Sequence, residues 1–422
     1  MRAMLAAAVA FTLCASGASA AVSGAPAQVA RARSCAPEAF GAKHDGVADD
    51  TAALQKALDA CADGGAVRLG AGTYLSGPLF LHSHQTLEVA KGAVLQATSD
   101  HARFLPATGA PLALVNAKGG QDIALVGEGV IDGAGQTWWP ATRAAKAAGT
   151  AEPPRPRLIL LSDVDGLVVR GLTLQNSPTF HLVPQRAHNV LIEKLDIHAP
   201  ADSPNTDGID PSGRDMLIQD VVIDTGDDNI AIKSGQDDPA HPGAATANIV
   251  VRNSTFRRGH GLSIGSETNG GVKDIVADNI TFDGTATAIR IKTARGRGGP
   301  VRDVVYRNIR IANVGQAVLI TAYYPKIPAE DAAQPIGPKT PDISGVRLEH
   351  VQGDQGIRKL GAVVGLPERA ARGIVFEDVT LSGDQPLEVR NAALTLVGGA
   401  LKAASGEAIV RGAGADIVER SR

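Results

Sequence analysis

The chain repeats one alternating pattern in five stretches: DGID (207–210), DNIAI (228–232), HGLSI (260–264), TAIRIK (287–292) and QAVLI (316–320). Because successive side chains of a β-strand point to opposite faces, the apolar residue at the third position of each stretch is predicted to point inward. This alignment gives Asp207, Asp228 and His260 the same offset on three neighbouring strands. Parallel strands lie about 4.7–4.9 Å apart, so these side chains are expected to form a column on one outer face. That column is a candidate active site.

A second set of apolar runs recurs roughly every 23–33 residues, a spacing typical of solenoid folds. The residue at the centre of each run is mostly of a type that tolerates the left-handed backbone region, so each is predicted to bend the chain between two strands. These central residues are Gly171, Lys194, Asp220, Asn253, Asn279, Asn308 and Asp378. Strand, bend, strand, loop and strand on every turn predict an all-β fold, a right-handed parallel β-helix. A leucine-rich repeat would show regular Leu/Asn spacing, and a propeller would need longer antiparallel hairpins.

Composition and charge are consistent with this fold. The 422 residues include 48 glycines but only 3% aromatic residues, as expected for many tight turns around an aliphatic core. Because a solenoid grows by adding rungs, residues 35–422 are predicted to form a single β-helix domain. The formal net charge is −3, so we expect neither a nucleic-acid partner nor binding to an anionic membrane. No feature of the repeat demands a second subunit, and a monomer is expected.

The N-terminus has the pattern of a secretory signal peptide. Arg2 precedes an apolar run, and Ala18-Ser19-Ala20 supplies the small residues of a cleavage site, so residues 1–20 are predicted to be removed. The run is too short to span a bilayer, and a buried core helix is the alternative. Residues 21–34 are then expected to be a flexible segment, and the mature protein is predicted to be secreted or periplasmic, without a membrane anchor.

Two cysteines remain after the signal peptide. We expect Cys35 and Cys61 to form a disulfide, with two buried free thiols as the alternative. Between them, residues 50–60 have helical spacing, with Asp49 or Asp50 as the N-cap and the sequence ADGG (62–65) as the stop. The short helix is predicted to cap the open end of the solenoid, because an unpaired terminal rung invites aggregation.

Acid and base roles can be assigned within the candidate site. Asp227 lies one residue before the column and is predicted to point differently from Asp228. An inverting glycosidase needs one carboxyl to protonate the leaving oxygen and another to activate water. Asp227 fits the acid, Asp207 and Asp228 fit the water-activating pair, and His260 is placed to hydrogen-bond the acid. Taken singly, these are also ordinary turn aspartates and a structural histidine, and the alignment on successive strands favours a site.

Cationic side chains are predicted beside the acidic column. Arg290 and Lys292 alternate with inward isoleucines and are expected on the same outer face, and Lys233 has the offset of Lys292 two strands earlier. Such a patch suits a sugar that carries a carboxylate. Solvated surface charge is the alternative. Aromatic residues that offer a sugar-stacking surface, or else pack within loops, are Tyr323, Tyr324, Trp138 and Trp139.

At these residues the chain resembles glycoside hydrolase family 28, the polygalacturonase family. Four motifs of that family occur in order: NTD (205–207), GDD (226–228), GHG (259–261) and RIK (290–292). Further similarity runs through residues 41–51 and the sequence GEGVIDG (127–133). The resemblance implies a right-handed parallel β-helix and hydrolysis of α-1,4-linked galacturonan with inversion.

The resemblance also implies residue roles. Asp227 would be the general acid, with Asp207 and Asp228 activating water. Substrate binding would fall to His260, Arg290, Lys292 and one of Tyr323 and Tyr324, and Asn205 of the first motif is included among the expected binding residues. The motifs favour a polygalacturonase over a rhamnogalacturonan hydrolase, with endo-action favoured. An exo-polygalacturonase and a rhamnogalacturonan or xylogalacturonan hydrolase of the same family are the alternatives.

Two readings from other classes compete with hydrolysis. A calcium-dependent pectate lyase would use the aspartates as metal ligands and Arg290 as the base. Calcium prefers six to eight oxygen ligands, whereas the column adds His260, so we expect neither a metal nor a cofactor. The second alternative is a non-catalytic β-helix that binds carbohydrate, for which Asp227→Asn would leave polymer binding intact.

Overall fold

A computed structural model describes residues 33–62, 64–235 and 245–421 of the chain. Within these ranges lie two α-helices, α1 (Thr51–Ala60) and α2 (Trp139–Ala148), and three short 3₁₀ turns (Pro37–Phe40, His101–Phe104 and Gly135–Thr137). The strands of this part of the chain are β1 (Ser34–Cys35), β2 (Asp45–Asp49), β3 (Ala66–Leu69), β4 (Gly72–Ser76), β5 (Leu79–Phe80), β6 (Thr86–Val89), β7 (Ala93–Ala97), β8 (Val115–Lys118), β9 (Gln121–Gly127), β10 (Val130–Asp132), β11 (Ile159–Ser162), β12 (Asp165–Arg170), β13 (Thr173–Gln175), β14 (Leu182–Gln185), β15 (Ala187–Glu193), β16 (Asp196–His198), β17 (Gly213–Gln219), β18 (Val222–Asp224), β19 (Ile230–Ile232), β20 (Thr246–Phe256), β21 (Leu262–Ile264), β22 (Val272–Asp283), β23 (Thr287–Lys292), β24 (Pro300–Ala312), β25 (Gln316–Thr321), β26 (Asp342–Gln355), β27 (Lys359–Val364), β28 (Ala371–Gly383), β29 (Gln385–Arg390), β30 (Ala392–Val397), β31 (Ala400–Ala403), β32 (Ile409–Arg411) and β33 (Ala415–Arg420).

The paired strands of the described residues are parallel, and each pairing joins strands of successive turns. One sheet follows the order β5, β8, β11, β14, and another follows β19, β21, β23, β25, β27, β29, β32. Two isolated parallel bridges, Leu182 with Ile209 and Ile209 with Ile230, connect these sheets into one continuous stack, which we call the site sheet. The other strands form the large sheet that makes the remaining sides of each turn. The fold is the predicted right-handed parallel β-helix.

The predicted bends are present. All seven central residues have positive φ angles, from 52° at Asn253 and Asp378 to 79° at Gly171. In the later turns the strand continues through the bend, as β22 does at Asn279, whereas in earlier turns the bend separates two strands, such as β17 and β18 at Asp220. Asn and Asp adopt this conformation at lower cost than other non-glycine residues, which explains their recurrence.

The core is a column of aliphatic side chains inside the coil. The inward residues Ile209, Ile230, Leu262, Ile289 and Val318 all have 0% exposure. Large side chains such as Tyr306 and Phe282 are also fully buried. Aliphatic burial of this kind supplies the main free energy of folding, and it fixes which side of each strand faces outward.

The N-terminal end is closed as predicted. Helix α1 packs against β3, β4 and β5, and Cys35 and Cys61 form a disulfide with a Cα–Cα distance of 6.2 Å. Asp50 is the N-cap, but its carboxylate accepts hydrogen bonds from the backbone N–H groups of Lys43 and His44 rather than from the helix. The predicted signal peptide lies outside the described residues. Within the described ranges, the helices are too short to cross a membrane.

Candidate active site

The site sheet brings the predicted column together. Ile230 pairs with Leu262, Leu262 with Ile289, and Ile289 with Val318, so the alignment of the apolar positions is the strand register of the structure. Asp207 and Asp228 therefore lie two residues before inward positions on neighbouring rungs, and His260 follows on the next. The sequence pattern alone was sufficient to predict this placement.

Asp228 is the anchor of the cationic patch. Its two carboxylate oxygens accept hydrogen bonds from Arg290 Nη1 at 3.0 Å and from Lys292 Nζ at 2.6 Å. The hydroxyl of Ser263 donates a third hydrogen bond at 2.9 Å. The Asp228 side chain is only 2% exposed, so these two cations balance a charge that burial would otherwise make costly.

Asp227, the residue before Asp228, pairs with His260. The distance from His260 Nδ1 to Asp227 Oδ1 is 3.0 Å, against 3.7 Å to Asp228 Oδ1. Asp227 is also the most exposed of the three aspartates, with 24% of its side chain accessible. Burial opposes ionisation of Asp227, but the hydrogen bond and charge of His260 and the charge of Lys292 outweigh it and lower the pKa of Asp227 to about 2.

Asp207 has the opposite electrostatic environment. Burial first, and then the negative charge of Asp210, raise the pKa of Asp207 well above its ordinary value, and Lys233 only partly offsets them. Lys233 Nζ lies 2.6 Å from Asp210 Oδ2 and 3.8 Å from Asp207 Oδ2. The three aspartates of the site are therefore distinct: one is paired with histidine, one with two cations, and one with a shared lysine.

Lys233, expected in the cationic patch that binds substrate, has a protein partner in the structure. Its ammonium pairs with Asp210 and also lies 4.2 Å from the centre of the Phe180 ring. The reason is that Asp210 points outward one rung before Lys233, directly after inward Ile209. Sequence reasoning missed Asp210, although the rule that places Arg290 outward after Ile289 places Asp210 in the same way.

Sequence reasoning also did not identify His181, which contacts the backbone of the column. His181 is fully buried, and its Nδ1 lies 2.9 Å from the backbone oxygen of Asp207. Burial is the main cause that lowers the pKa of His181, to about 4. Its position immediately before Leu182, which pairs with Ile209, was the signal available in the sequence.

The two tyrosines have different positions. Tyr323 is 8% exposed, and its hydroxyl donates a hydrogen bond of 2.7 Å to Asp331, so it is part of the loop's packing. The ring of Tyr324 lies 5.2 Å from Lys292 Nζ, beside the cationic patch. Of the two candidates that sequence reasoning left open, Tyr324 is the one placed to contact a ligand.

Three other predicted binding residues are engaged in packing. The amide oxygen of Asn205 accepts hydrogen bonds from Lys146 Nζ at 3.1 Å and Arg155 Nη2 at 2.9 Å. Trp138 stacks on His101 with a centroid distance of 3.6 Å. Trp139 begins α2, is 4% exposed and donates from Nε1 to a backbone oxygen. The tryptophans thus follow the alternative of loop packing.

One cluster in the site has metal-binding chemistry. Donor atoms of Asp227, Asp228 and His260 lie within 4.8 Å of one another. However, both carboxylate oxygens of Asp228 already face the cations Arg290 and Lys292. A divalent cation would be placed against two fixed positive charges, so the donor set fits acid–base chemistry better than calcium binding.

Comparisons with known proteins show the family of the chain. The model of the glycosyl hydrolases family 28 matches residues 62–398. A sequence relative, an endo-polygalacturonase of Pectobacterium parmentieri, is 33% identical over 366 residues, covering 81% of this chain and 86% of the relative. The chain belongs to glycoside hydrolase family 28, and the protein is a glycoside hydrolase.

Two solved structures show the same architecture. An exopolygalacturonase from Thermotoga maritima superposes with a TM-score of 0.80 at 25% identity, covering 91% of this chain and 95% of the other. A polygalacturonase from Erwinia carotovora ssp. carotovora has a TM-score of 0.75 at 30% identity, with coverage of 88% and 99%. The likeness therefore extends along most of the coil.

Proposed function

We propose that the protein is a polygalacturonase that hydrolyses α-1,4 bonds of galacturonan with inversion. The observation that carries the proposal is the convergence of Asp207, Asp227 and Asp228 with His260 and two cations on one outer face of the β-helix. Carboxyl groups provide the acid and the base of an inverting glycosidase. The cations match the carboxylate that each galacturonic acid unit carries.

Substrate recognition is assigned to Arg290, Lys292 and Tyr324. Arg290 donates one hydrogen bond to Asp228, through Nη1, and its side chain is 16% exposed. Its Nε is buried without a partner, so we assign the contact with a substrate carboxylate to the terminal amino groups, Nη1 and Nη2. The ring of Tyr324 adds an apolar surface beside the same patch, on which a sugar can pack.

Water activation is assigned to Asp207 and Asp228. A carboxylate with a raised pKa is a stronger base once ionised, and burial beside Asp210 raises the pKa of Asp207. Asp228 lies on the neighbouring rung at the same offset, where it can hold the water through its carboxylate. Asp207 then receives the proton of the attacking water.

Proton donation to the leaving oxygen is assigned to Asp227, the most exposed of the three carboxyl groups. In the free site burial opposes ionisation of Asp227, but its hydrogen bond to His260, at 3.0 Å, and the nearby positive charges lower its pKa to about 2. A bound galacturonate adds negative charge and excludes water, and both effects raise the pKa of a neighbouring carboxyl. Substrate binding therefore raises the pKa of Asp227, which favours the protonated form that a general acid needs.

The experiment separates hydrolysis from elimination. Purified protein is incubated with de-esterified galacturonan in EDTA, and reducing ends and unsaturated products are followed together. We expect reducing ends alone, with early mixed oligomers if the action is endo, as we propose. Activity that needs added calcium and yields unsaturated product would replace this proposal with a lyase, and binding without turnover would replace it with a carbohydrate-binding role.

The acid assignment is tested with an activated leaving group. D227N is compared with D207N on polymer and on an aryl trigalacturonide whose phenolate leaves without a proton. We expect D227N to recover far more activity on the aryl substrate than D207N does, because only D227N lacks the proton donor. Equal recovery by the two variants would contradict the assignment.

We further propose that the protein is exported, with cleavage near Ala20. The Cys35–Cys61 disulfide supports this, because disulfides persist mainly in oxidising compartments. N-terminal sequencing of protein from the medium and the periplasm tests it, with Ala21 as the expected first residue. A retained residue 1 would contradict the proposal.

A further inference from the structure

A groove of about 520 Å³ opens beside His260 and follows the turns that lead into successive strands of the site sheet. Its lining comes mainly from the short segments before β21, β23, β25 and β27, with Ala201, Thr225 and Gly226 added from the preceding turns, so it runs along several rungs. Glycine recurs in these segments, and a Cβ atom at Gly284 would meet nothing within 4 Å, which shows open space there. The groove is thus a continuation of the candidate active site along the coil.

An unpaired arginine lies at the far end of this groove. Arg358 is exposed and immediately precedes β27, three rungs beyond the rung of His260. Its Nη2 would lie 2.9 Å from a Cβ on Gly315, so the guanidinium rests on the groove wall where glycine leaves room. Among the described residues, its guanidinium has neither a hydrogen-bond partner nor an ion-pair partner.

The groove also holds an unsatisfied hydroxyl. Thr285 lines it at 1% exposure, and its Oγ1 has no hydrogen-bond partner. Buried polar atoms without partners are rare in native proteins and call for an explanation. At the near end, Arg258 lies in the same lining and pairs with Asp224. The groove therefore has an unpaired positive charge at its far end, an ion pair at its near end and an unsatisfied hydroxyl between them.

We propose that this groove is an accessory subsite in which Arg358 binds a carboxylate of an acidic polysaccharide chain that extends beyond His260. The inference rests on the proposed function, because it takes the same substrate as its ligand. Three rungs correspond to about 14 Å, so Arg358 contacts a sugar remote from the cleaved bond. Its role is to hold long chains, and short chains cannot span the distance.

The test compares substrate lengths. The KM values of R358Q are measured on a trimer and on a chain of ten galacturonic acid units. A trimer leaves at most two sugars on either side of the cleaved bond, whereas the longer chain can run the whole groove. We expect the ratio of the KM for the decamer to the KM for the trimer to rise about tenfold. R310Q is the matched control, since Arg310 is also exposed but lies outside the groove lining.

A direct binding measurement removes the dependence on turnover. In the D227N background, calorimetry with the decamer is expected to give a Kd about tenfold weaker when Arg358 is also replaced by Gln, with a weaker dependence on salt. If the wild type cleaves galacturonan but R358Q and R310Q behave alike in both measurements, the accessory subsite is overturned alone. If the wild type neither cleaves nor binds galacturonan, the proposed function fails, and the subsite fails with it.

Discussion

At the scale of single residues, the decisive contrast is between Asp207 and Asp227. Both project from the same side of the site sheet, yet burial and Asp210 raise the pKa of Asp207 while His260 and Lys292 lower that of Asp227. Groups whose pKa values are pushed apart in this way can divide acid and base roles. Asp210 and Lys233 both influence the pKa of Asp207. Neither is paired with His260, the partner of Asp227.

Replacing Asp210 or Lys233 is predicted to move the acid limb of the kcat/KM profile in opposite directions. The acid limb reports ionisation of Asp207, which must lose its proton to act as a base. D210N removes a negative neighbour, so the pKa of Asp207 falls and the limb moves to lower pH. K233M removes a positive neighbour, so the limb moves to higher pH, each by on the order of one pH unit.

The double variant D210N/K233M serves as the control, because it removes both charges and avoids leaving a buried carboxylate unpaired. Its acid limb is expected to lie between those of the single variants. Identical acid limbs in the wild type and both single variants would show that Asp207 is not the group that limits activity at low pH.

The residue scale also shows what sequence reasoning can and cannot reach. The column of Asp207, Asp228 and His260 was predictable, because a period of two and a buried apolar face leave only one register. The pairing of Lys233 with Asp210 was less visible, because the alignment located an offset but not the partner across the rung. Tyr323 and Tyr324 could not be told apart, since the strand ends at Thr321 and alternation no longer applies.

At the scale of elements, the loop between β25 and β26 is held by an ionic cluster of Arg295, Asp331 and Glu368, which we call the latch. Arg295 donates to Glu368 at 2.8 Å and to Asp331 at 2.7 Å, and Asp331 also accepts from Tyr323. The loop carries Tyr324 at its start, so the latch fixes the wall beside the cationic patch. The residues of the latch lie far apart in sequence, so the path of the loop could not be predicted from the local sequence pattern.

Breaking the latch is predicted to loosen the loop without unfolding the coil. D331A removes the acceptor of the Tyr323 hydroxyl and one of the two acceptors of Arg295 Nη2, so trypsin is expected to cleave after Lys326 several-fold faster. The measurement is the initial rate of nicking, with D354A as the control, because Asp354 is an exposed aspartate on β26. Equal nicking rates for D331A and D354A would contradict the role of the latch.

The disulfide is predicted to stabilise the N-terminal cap. It closes a loop across 26 residues of sequence, which corresponds to about 3 kcal/mol in the chain-entropy model. In C35S/C61S, hydrogen exchange in α1 is expected to accelerate, while the amides of the site sheet change little. Unchanged exchange in α1 would show that burial of residues such as Leu54 and Leu58 is sufficient to hold the cap.

At the scale of the whole molecule, one continuous aliphatic column supports every rung of the site. That the core would be a column of aliphatic side chains was predictable from the repeat and from the scarcity of aromatic residues. Helix α2 was not predicted, because Trp138 and Trp139 gave no clear periodicity, and the structure places Trp139 at the helix start. The strands of the coil could be predicted from the local sequence pattern. Elements outside the repeat, such as α2, depend on contacts between residues that are distant in sequence.

A substitution in the core below the site is predicted to lower the free energy of unfolding. I289A removes a fully buried side chain between the rungs of Leu262 and Val318, and such changes cost about 2–5 kcal/mol. Urea unfolding measures this loss. V418A, at a position with 40% exposure, is the control and should stay within about 0.5 kcal/mol of the wild type. A similar loss in both variants would contradict the account of the core.

The central claim, an inverting hydrolase, is tested most directly by the anomeric form of the first product. Proton NMR is recorded during the first minutes of galacturonan cleavage, before the new reducing ends equilibrate. The assigned roles of Asp227 and Asp207 predict that β-anomeric reducing ends appear first and the α form follows by mutarotation. Reducing ends that appear first as the α anomer, or product with an unsaturated terminal sugar, would contradict it.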